Sequence, residues 1–337
     1  MKAVVLHEIG SVESLRLETV EDPQPGSGYV IVRLGAAALN HRDVWIRKGQ
    51  YAGIKLPVIP GSDGCGTVVE VGKDVSKDWL GRSVVINPGL DWGQDPRAPG
   101  PKFRILGMPD AGTFAELVRV PVENVCDRPS YLSAYEAAAI PLAGLTAYRA
   151  LVSRAQLKSG ETVLITGIGG GVSSLGLQIA KALGARVVVT SRSDWKLGEA
   201  LKLGADAALN VSAGNWSKEA IKLCGGEGPD VILDSVGGET LGCALSAVRS
   251  GGRIVTFGAT TGPVERFAIT TLFWKQINLL GSTMGSPPEF AAMLSLFEAH
   301  NIHPAVARVF PLIEVAEAQT YMEQAEQFGK IVIDTRR

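Results

Sequence analysis

Thr162-Val163-Leu164-Ile165-Thr166, then Gly167-Ile168-Gly169-Gly170-Gly171-Val172-Ser173-Ser174, then Leu175 through Leu183 read as a strand, a glycine turn and a helix. The first five residues are β-branched or apolar, as suits a strand covered on both faces. In the last segment Leu175, Ile179, Ala182 and Leu183 recur at helical spacing. Glycines between such elements let backbone N–H groups approach a pyrophosphate, which the positive end of the helix then stabilises. Glycines also make ordinary tight turns, so the surroundings decide. Val187-Val188-Val189-Thr190 reads as a second strand after the helix and closes a βαβ unit of about 30 residues. A dinucleotide site is expected here, with Gly167, Gly170, Gly171 and Val172 at the phosphates.

Downstream the alternation continues. Arg186 to Thr190, Val231 to Asp234, Arg253 to Phe257 and Ile277 to Leu280 read as strands, and Trp195 to Leu203, Lys218 to Leu223 and Thr240 to Val248 as helices. Such alternation implies a parallel, doubly wound sheet. Upstream, short β-rich runs are broken by glycine and proline: Ala3 to Leu6, Tyr29 to Leu34, Gly66 to Val71, Ser83 to Ile86 and Phe114 to Val120. They predict a compact, mostly antiparallel β-domain. The tail, with helices over Pro288 to Ala299 and Glu314 to Ala325 and a strand from Lys330 to Thr335, leaves the alternation and can return to that first domain. Between Asn87 and Gly107 a loop rich in glycine and proline carries Trp92 and Phe103. It reads either as a cover over a site or partner surface, or as an ordered lobe.

With 337 residues the chain can build two sizeable cores. Lys plus Arg, 33, nearly balance Asp plus Glu, 34, so the net charge of -1 gives no general attraction for nucleic acid or anionic membrane. No apolar run reaches the ~18 residues of a membrane span, and the first residues break their apolar run too early for a signal peptide. A soluble, cytoplasmic protein is expected. Cys65, Cys126, Cys224 and Cys243 are scattered without CxxC spacing, which points to small buried side chains rather than a zinc knuckle or disulfide framework.

Gly61-Ser62-Asp63-Gly64-Cys65-Gly66, followed by Gly72 and Val75, has the glycine spacing of the GHExxG signature. Together with Ala138-Ala139-Ile140-Pro141-Leu142-Ala143-Gly144-Leu145-Thr146-Ala147-Tyr148 and Gln327-Phe328-Gly329-Lys330-Ile331-Val332, it resembles the medium-chain dehydrogenase/reductase superfamily over essentially the full length. The resemblance implies an α/β chain with a GroES-like β-domain, 1–128 with 286–337, beside a Rossmann domain, 129–285, and a catalytic cleft between them. Zinc-dependent members place ligands at the positions of Asn40, Ser62 and Leu142. An amide, a hydroxyl and an alkyl chain suit zinc poorly, and the Asn87 to Gly107 loop has no cysteine for a structural zinc, so no metal is expected. The pattern resembles the zinc-independent quinone oxidoreductase branch. In that branch Asn40 and Tyr51 match residues beside the nicotinamide, Thr146 positions the ring, and Phe257, Gly258 and Lys330 contribute to the cofactor site. By itself, Asn40 reads as readily as a turn cap, and Tyr51 as a half-buried aromatic. Arg42 and Asp43 read as an internal ion pair.

At the end of the second nucleotide strand, NAD binders carry an acid for the ribose hydroxyl. Thr190-Ser191-Arg192-Ser193 stands there instead, and Ser191 and Arg192 with Lys196 suit a 2′-phosphate. Asp194 then reads as an acid in the first turn of the next helix. Asn210-Val211 replaces the Asn-Tyr of many members, and Ser173 takes the third-glycine position, small enough for helix and strand to approach. The expected activity is NADPH-dependent, metal-free reduction of a quinone or α,β-unsaturated carbonyl. The alternatives are a zinc alcohol dehydrogenase with displaced ligands, for which His41 and Cys65 are the nearby candidates, and a non-catalytic NADPH-binding protein. Phe267 to Leu280, apolar and closing the sheet, suggests a homodimer or higher homo-oligomer.

Overall fold

A computed structural model describes all 337 residues. The chain forms two compact units, Met1–Leu145 with Gly285–Arg337, and Thr146–Met284. No helix is long and apolar enough to cross a membrane.

The first unit is a GroES-like β-domain. In its main sheet, Val306–Pro311, Lys330–Asp334, Tyr29–Ala38, Asp63–Val71, Ser83–Ile86 and Val125–Asp127 lie in that order, and Leu117–Pro121 also pairs with Tyr29–Ala38. The chain end does return here, and it takes an interior place: Val332 and Ile333 pair antiparallel with Ala38 and Ala37. On the other side of the same strand, Ala38 pairs with Asp63. Residues 129–145 belong with this unit, unlike the expected boundary at 128. Helix Ala134–Ala139 lies on strands Tyr29–Ala38, Asp63–Val71 and Lys330–Asp334. Its alanines permit that close approach, and Ser133 and Glu136 cap its start reciprocally, by Glu136 N–H to Ser133 Oγ at 3.3 Å and Ser133 N–H to Glu136 Oε2 at 2.8 Å.

The second unit is a Rossmann domain. Its six parallel strands run Ala207–Asn210, Arg186–Ser191, Thr162–Ile165, Val231–Asp234, Arg253–Thr256 and Asn278–Gly281. Chain order reverses direction between Thr162–Ile165 and Val231–Asp234, the switch point where such sheets open a crevice at their carboxyl ends. Ala207–Asn210 is absent from the sequence reading because Ala-Ala-Leu-Asn carries no β-branched residue. Helix Gly171–Ala182 buries Leu175, Leu177 and Ile179. Its close approach to the sheet occurs at Gly176, where a Cβ would lie 2.8 Å from Leu233 Cδ2. Gly176 therefore performs the packing expected of residue 173.

Candidate functional site

The glycine turn follows from backbone geometry. Gly167 has φ +62° and Gly169 φ +134°, conformations that side chains with a Cβ rarely adopt. A Cβ at Gly169 would also lie 2.7 Å from Lys196 Cδ and 3.2 Å from its Nζ, so Lys196 crosses the turn itself. Desolvation in this half-buried position pushes the lysine pKa below its ordinary value. Ser173 Oγ accepts the N–H groups of Gly169 and Gly170 at 3.2 and 3.1 Å. Gly171 and Val172, at the first positions of helix Gly171–Ala182, have N–H groups without intrahelical partners, and these suit a phosphate. Ser173 thus stiffens the turn, a role its size alone did not reveal.

At the end of the second strand, Ser191 is buried and its Oγ accepts Ser193 N–H at 3.2 Å, while Arg192 is exposed. Asp194 lies in the first turn of helix Asp194–Lys202, and its Oδ1 accepts Asn210 Nδ2–H at 2.6 Å. Asn210 Oδ1 accepts in turn from Ser212 N–H at 2.9 Å and Ser212 Oγ at 2.6 Å. The acid is therefore held by a neighbouring amide.

Asp234, read from the sequence only as a strand end, anchors the crevice loops. It is fully buried, and its carboxylate accepts Thr166 Oγ1–H at 2.5 Å and the N–H groups of Val236 and Gly237 at 3.3 and 3.1 Å. Desolvation nevertheless pushes its pKa up, against these bonds. Phe257 N–H bonds Asp234 O at 3.1 Å, and a Cβ at Gly258 would stand 3.2 Å from Ser235 O, so both residues border this loop. Thr146 is buried in helix Pro141–Tyr148. The turn, Ser191, Lys196, Phe257 and Gly258 fit a pyridine dinucleotide.

In the first unit Asn40 is the N-cap of helix His41–Arg47, with its N–H donating to Asp43 Oδ2 at 2.8 Å. Its side chain is also fully engaged at one face: Lys330 Nζ donates to Oδ1 at 2.6 Å, and Nδ2 donates to Asp63 Oδ2 at 3.0 Å. Lys330 additionally bonds Leu39 O at 2.7 Å and Asp63 Oδ2 at 2.9 Å. An ammonium has only three hydrogens, and those of Lys330, expected at the cofactor site, are spent on Leu39 O, Asn40 Oδ1 and Asp63 Oδ2. Arg42 and Asp43 are also not a direct ion pair. Arg42 donates to Ser62 Oγ, Leu106 O and Met108 O at 2.7, 2.8 and 3.4 Å, and its guanidinium lies 5.1 Å from the Tyr51 ring centre. Helical geometry turns Arg42 and Asp43 inward and leaves His41 exposed. Tyr51 is half-buried beside Leu6, Ile46, Val58 and Met108.

Zinc does not fit these residues. Ser62 Oγ is shared between Arg42 and Leu106 O, Leu142 offers an alkyl chain, and a lysine ammonium sits on Asn40. No group of three His, Cys, Asp or Glu side chains is placed to hold a metal ion. Burial pushes the Cys65 thiol up to about 11. The 87–107 loop is an ordered lobe: Trp92 is buried, donates Nε1–H to Asp95 O at 3.0 Å and meets Phe103 edge-on.

Residues 26–130 match the family described as alcohol dehydrogenase GroES-like domain, and residues 171–299 that described as zinc-binding dehydrogenase. A zinc-type alcohol dehydrogenase-like protein of Leptosphaeria maculans is 36% identical, over 95% of this chain and 94% of its own. The chain belongs to the medium-chain dehydrogenase/reductase superfamily. Among solved structures of this superfamily, an NAD-dependent alcohol dehydrogenase superposes with a TM-score of 0.95 at 40% identity, covering 99% of both chains. An acryloyl-coenzyme A reductase of Metallosphaera sedula is 32% identical over 99% of this chain and 100% of its own. This medium-chain dehydrogenase/reductase is an oxidoreductase that uses a pyridine nucleotide.

Proposed function

We propose that the chain reduces quinones or α,β-unsaturated carbonyl compounds with NADPH, without a catalytic metal. The observation that carries this reading is the cation on Asn40: Lys330 lies 2.6 Å from the amide oxygen at a position where zinc-dependent relatives have a ligand. A simple alcohol or ketone needs an electrophile for its developing alkoxide, worth several kcal/mol when a metal supplies it. A conjugated acceptor spreads the arriving charge and is served by neutral hydrogen bonds. The acryloyl-coenzyme A reductase relative, whose name specifies a conjugated acceptor, favours the same class.

Bound NADPH would supply the hydride. Gly171 and Val172 N–H groups hold the pyrophosphate, Lys196 offers positive charge across the turn, and Ser191 with Arg192 receives the 2′-phosphate. Thr146, Phe257 and Gly258 border the nicotinamide end. The free N–H of Asn40 Nδ2 donates to the acceptor oxygen as it gains charge, and the final proton comes from Tyr51 or from solvent. Tyr51→Phe separates these two sources: lower turnover with unchanged NADPH affinity identifies the hydroxyl. Steady-state assays on a quinone, an enone and a primary alcohol test the whole reading, and alcohol turnover above that of both acceptors would overturn it.

A second reading, NAD-dependent alcohol oxidation, is favoured by the 40%-identical NAD-dependent structure. Zinc content and the NADPH-to-NADH affinity ratio separate the two. We also assign a homodimer to the sheet edge: Asn278–Gly281 is the outermost strand, and Phe273 and Trp274 beside it are 61% and 83% exposed. Trp274→Glu should shift the sedimentation of the protein to that of one chain.

A further inference from the structure

Lys330 and Asp63 open two strands that flank Tyr29–Ala38, and Asn40 follows the strand between them. The side chains of Lys330 and Asp63 are 3% and 0% exposed, so little solvent screens their ion pair. All three ammonium hydrogens are used, on Leu39 O, Asn40 Oδ1 and Asp63 Oδ2. Asp63 Oδ2 also accepts Asn40 Nδ2–H, and Asp63 Oδ1 accepts Leu142 N–H at 2.8 Å.

This arrangement allows Asn40 one orientation. An ammonium only donates and a carboxylate only accepts, so turning the amide over would oppose donor to donor and acceptor to acceptor in a buried place. One lone pair of the amide oxygen is thereby taken by the ammonium, and one of the two Nδ2 hydrogens by Asp63. As a donor the amide keeps a single N–H for a ligand, and its oxygen is polarised by a full positive charge. Polarisation of that kind makes the remaining N–H a stronger donor.

We propose that Lys330 and Asp63 are positioning residues that hold Asn40 as a donor toward the acceptor oxygen. Their hydrogen bonds run to Leu39, Asn40, Leu142 and each other, and in this role they act through the amide. The assignment rests on the catalytic role proposed for Asn40 above.

The test is a cycle between Asn40→Ala and the neutral pair Lys330→Met with Asp63→Asn, which removes both charges together and leaves neither buried alone. The neutral pair should unfold cooperatively, keep its NADPH affinity within about threefold, and lose about tenfold or more in kcat on a quinone or enone. In the Asn40→Ala background the same pair should cause less than about twofold further loss, because the group it acts through is gone. Wild-type kcat in the folded neutral pair, or a loss that adds fully to that of Asn40→Ala, overturns the positioning role while leaving Asn40 catalytic. Wild-type kcat in Asn40→Ala overturns both roles, so the two failures are distinct. A further readout needs no variant. In the wild-type protein with isotopically labelled asparagine, the Asn40 Nδ2 proton bonded to Asp63 should be protected from exchange with solvent and its geminal partner less so. Rapid solvent exchange of both Asn40 Nδ2 protons overturns the proposal even where the neutral pair fails to fold.

Discussion

The nucleotide turn and the Asn40 cluster are both tightly specified, but they are specified over different distances along the chain. The turn is contiguous: Gly167, Gly169 and Ser173 satisfy one another within a few residues. In the cluster, Asn40 reaches Asp63 across 23 positions and Lys330 across 290, and Asp63 reaches Lys330 across 267. A local device tolerates local repair, because its backbone is set by its own φ values and by one helix. A convergent device in a core fails together, since each charge is neutralised only by a distant segment.

Breaking each device should expose that difference. Asp63→Ala leaves the buried Lys330 ammonium without its counter-ion and strips Leu142 N–H and Asn40 Nδ2 of an acceptor. Removal of one partner from a buried pair costs about 3–5 kcal/mol, so denaturant unfolding should report a loss of that size. Gly169→Ala strains one backbone position and displaces Lys196, an effect of about 1–3 kcal/mol concentrated in NADPH affinity. Comparable destabilisation by the two substitutions would erase the distinction between local and convergent devices.

A gentler probe of the convergent device is pH. Desolvation raises Asp43 to about 6 from 3.8, and the Arg42 charge and the Asn40 N–H only partly oppose it. A folded pKa above the unfolded one means stability that is fully present below about 3.8 and is lost as pH rises through about 6. Asp43→Asn keeps an acceptor for Asn40 N–H and does not titrate. Between pH 4 and 7.5 the stability difference should move in favour of the variant by about 2–3 kcal/mol, the equivalent of about two pKa units. A difference that stays flat across that range would mean the carboxylate is not desolvated.

The same contrast governs what could be read from the residues. Periodicity and glycine punctuation locate the turn, both domains and most strands, because these signals are local. Ala207–Asn210 escapes since alanine and asparagine carry no strand signal, and Val306–Pro311 since its pairing with Lys330–Asp334 is purely tertiary. Helix His41–Arg47 is short and begins at polar residues, which hid the inward turn of Arg42 and Asp43. The family resemblance places Lys330 at the cofactor, and the fold adds its bond to Asn40. Its position along the chain gives no hint of Asp63, because only the sheet order brings the two together.

The smallest expected effect sharpens the comparison within the nucleotide unit, where one part of the site is local and the other is not. Ser191 ends one strand and Arg192 follows it, while Asn210 ends its parallel neighbour, paired opposite Ser191. The amide of Asn210 holds Asp194 at 2.6 Å, an acid that a ribose 2′-hydroxyl could otherwise engage. With the carboxylate so held and Arg192 exposed nearby, a 2′-phosphate gains a charge-assisted partner, worth about 1.5–3 kcal/mol before desolvation. Arg192→Ala should therefore weaken NADPH about tenfold, equivalent to about 1.4 kcal/mol, and leave NADH affinity unchanged. Asn210→Ala releases Asp194 without touching the arginine, so the NADPH-to-NADH ratio should fall through a gain in NADH affinity and through repulsion of the 2′-phosphate. Fluorescence titration of both cofactors against both variants measures these ratios. Equal weakening of NADPH and NADH by Arg192→Ala would remove the arginine from phosphate recognition. A wild-type preference for NADH that Asp194→Ala reverses would make Asp194 the ribose reader, and would align this chain with its NAD-dependent structural neighbour.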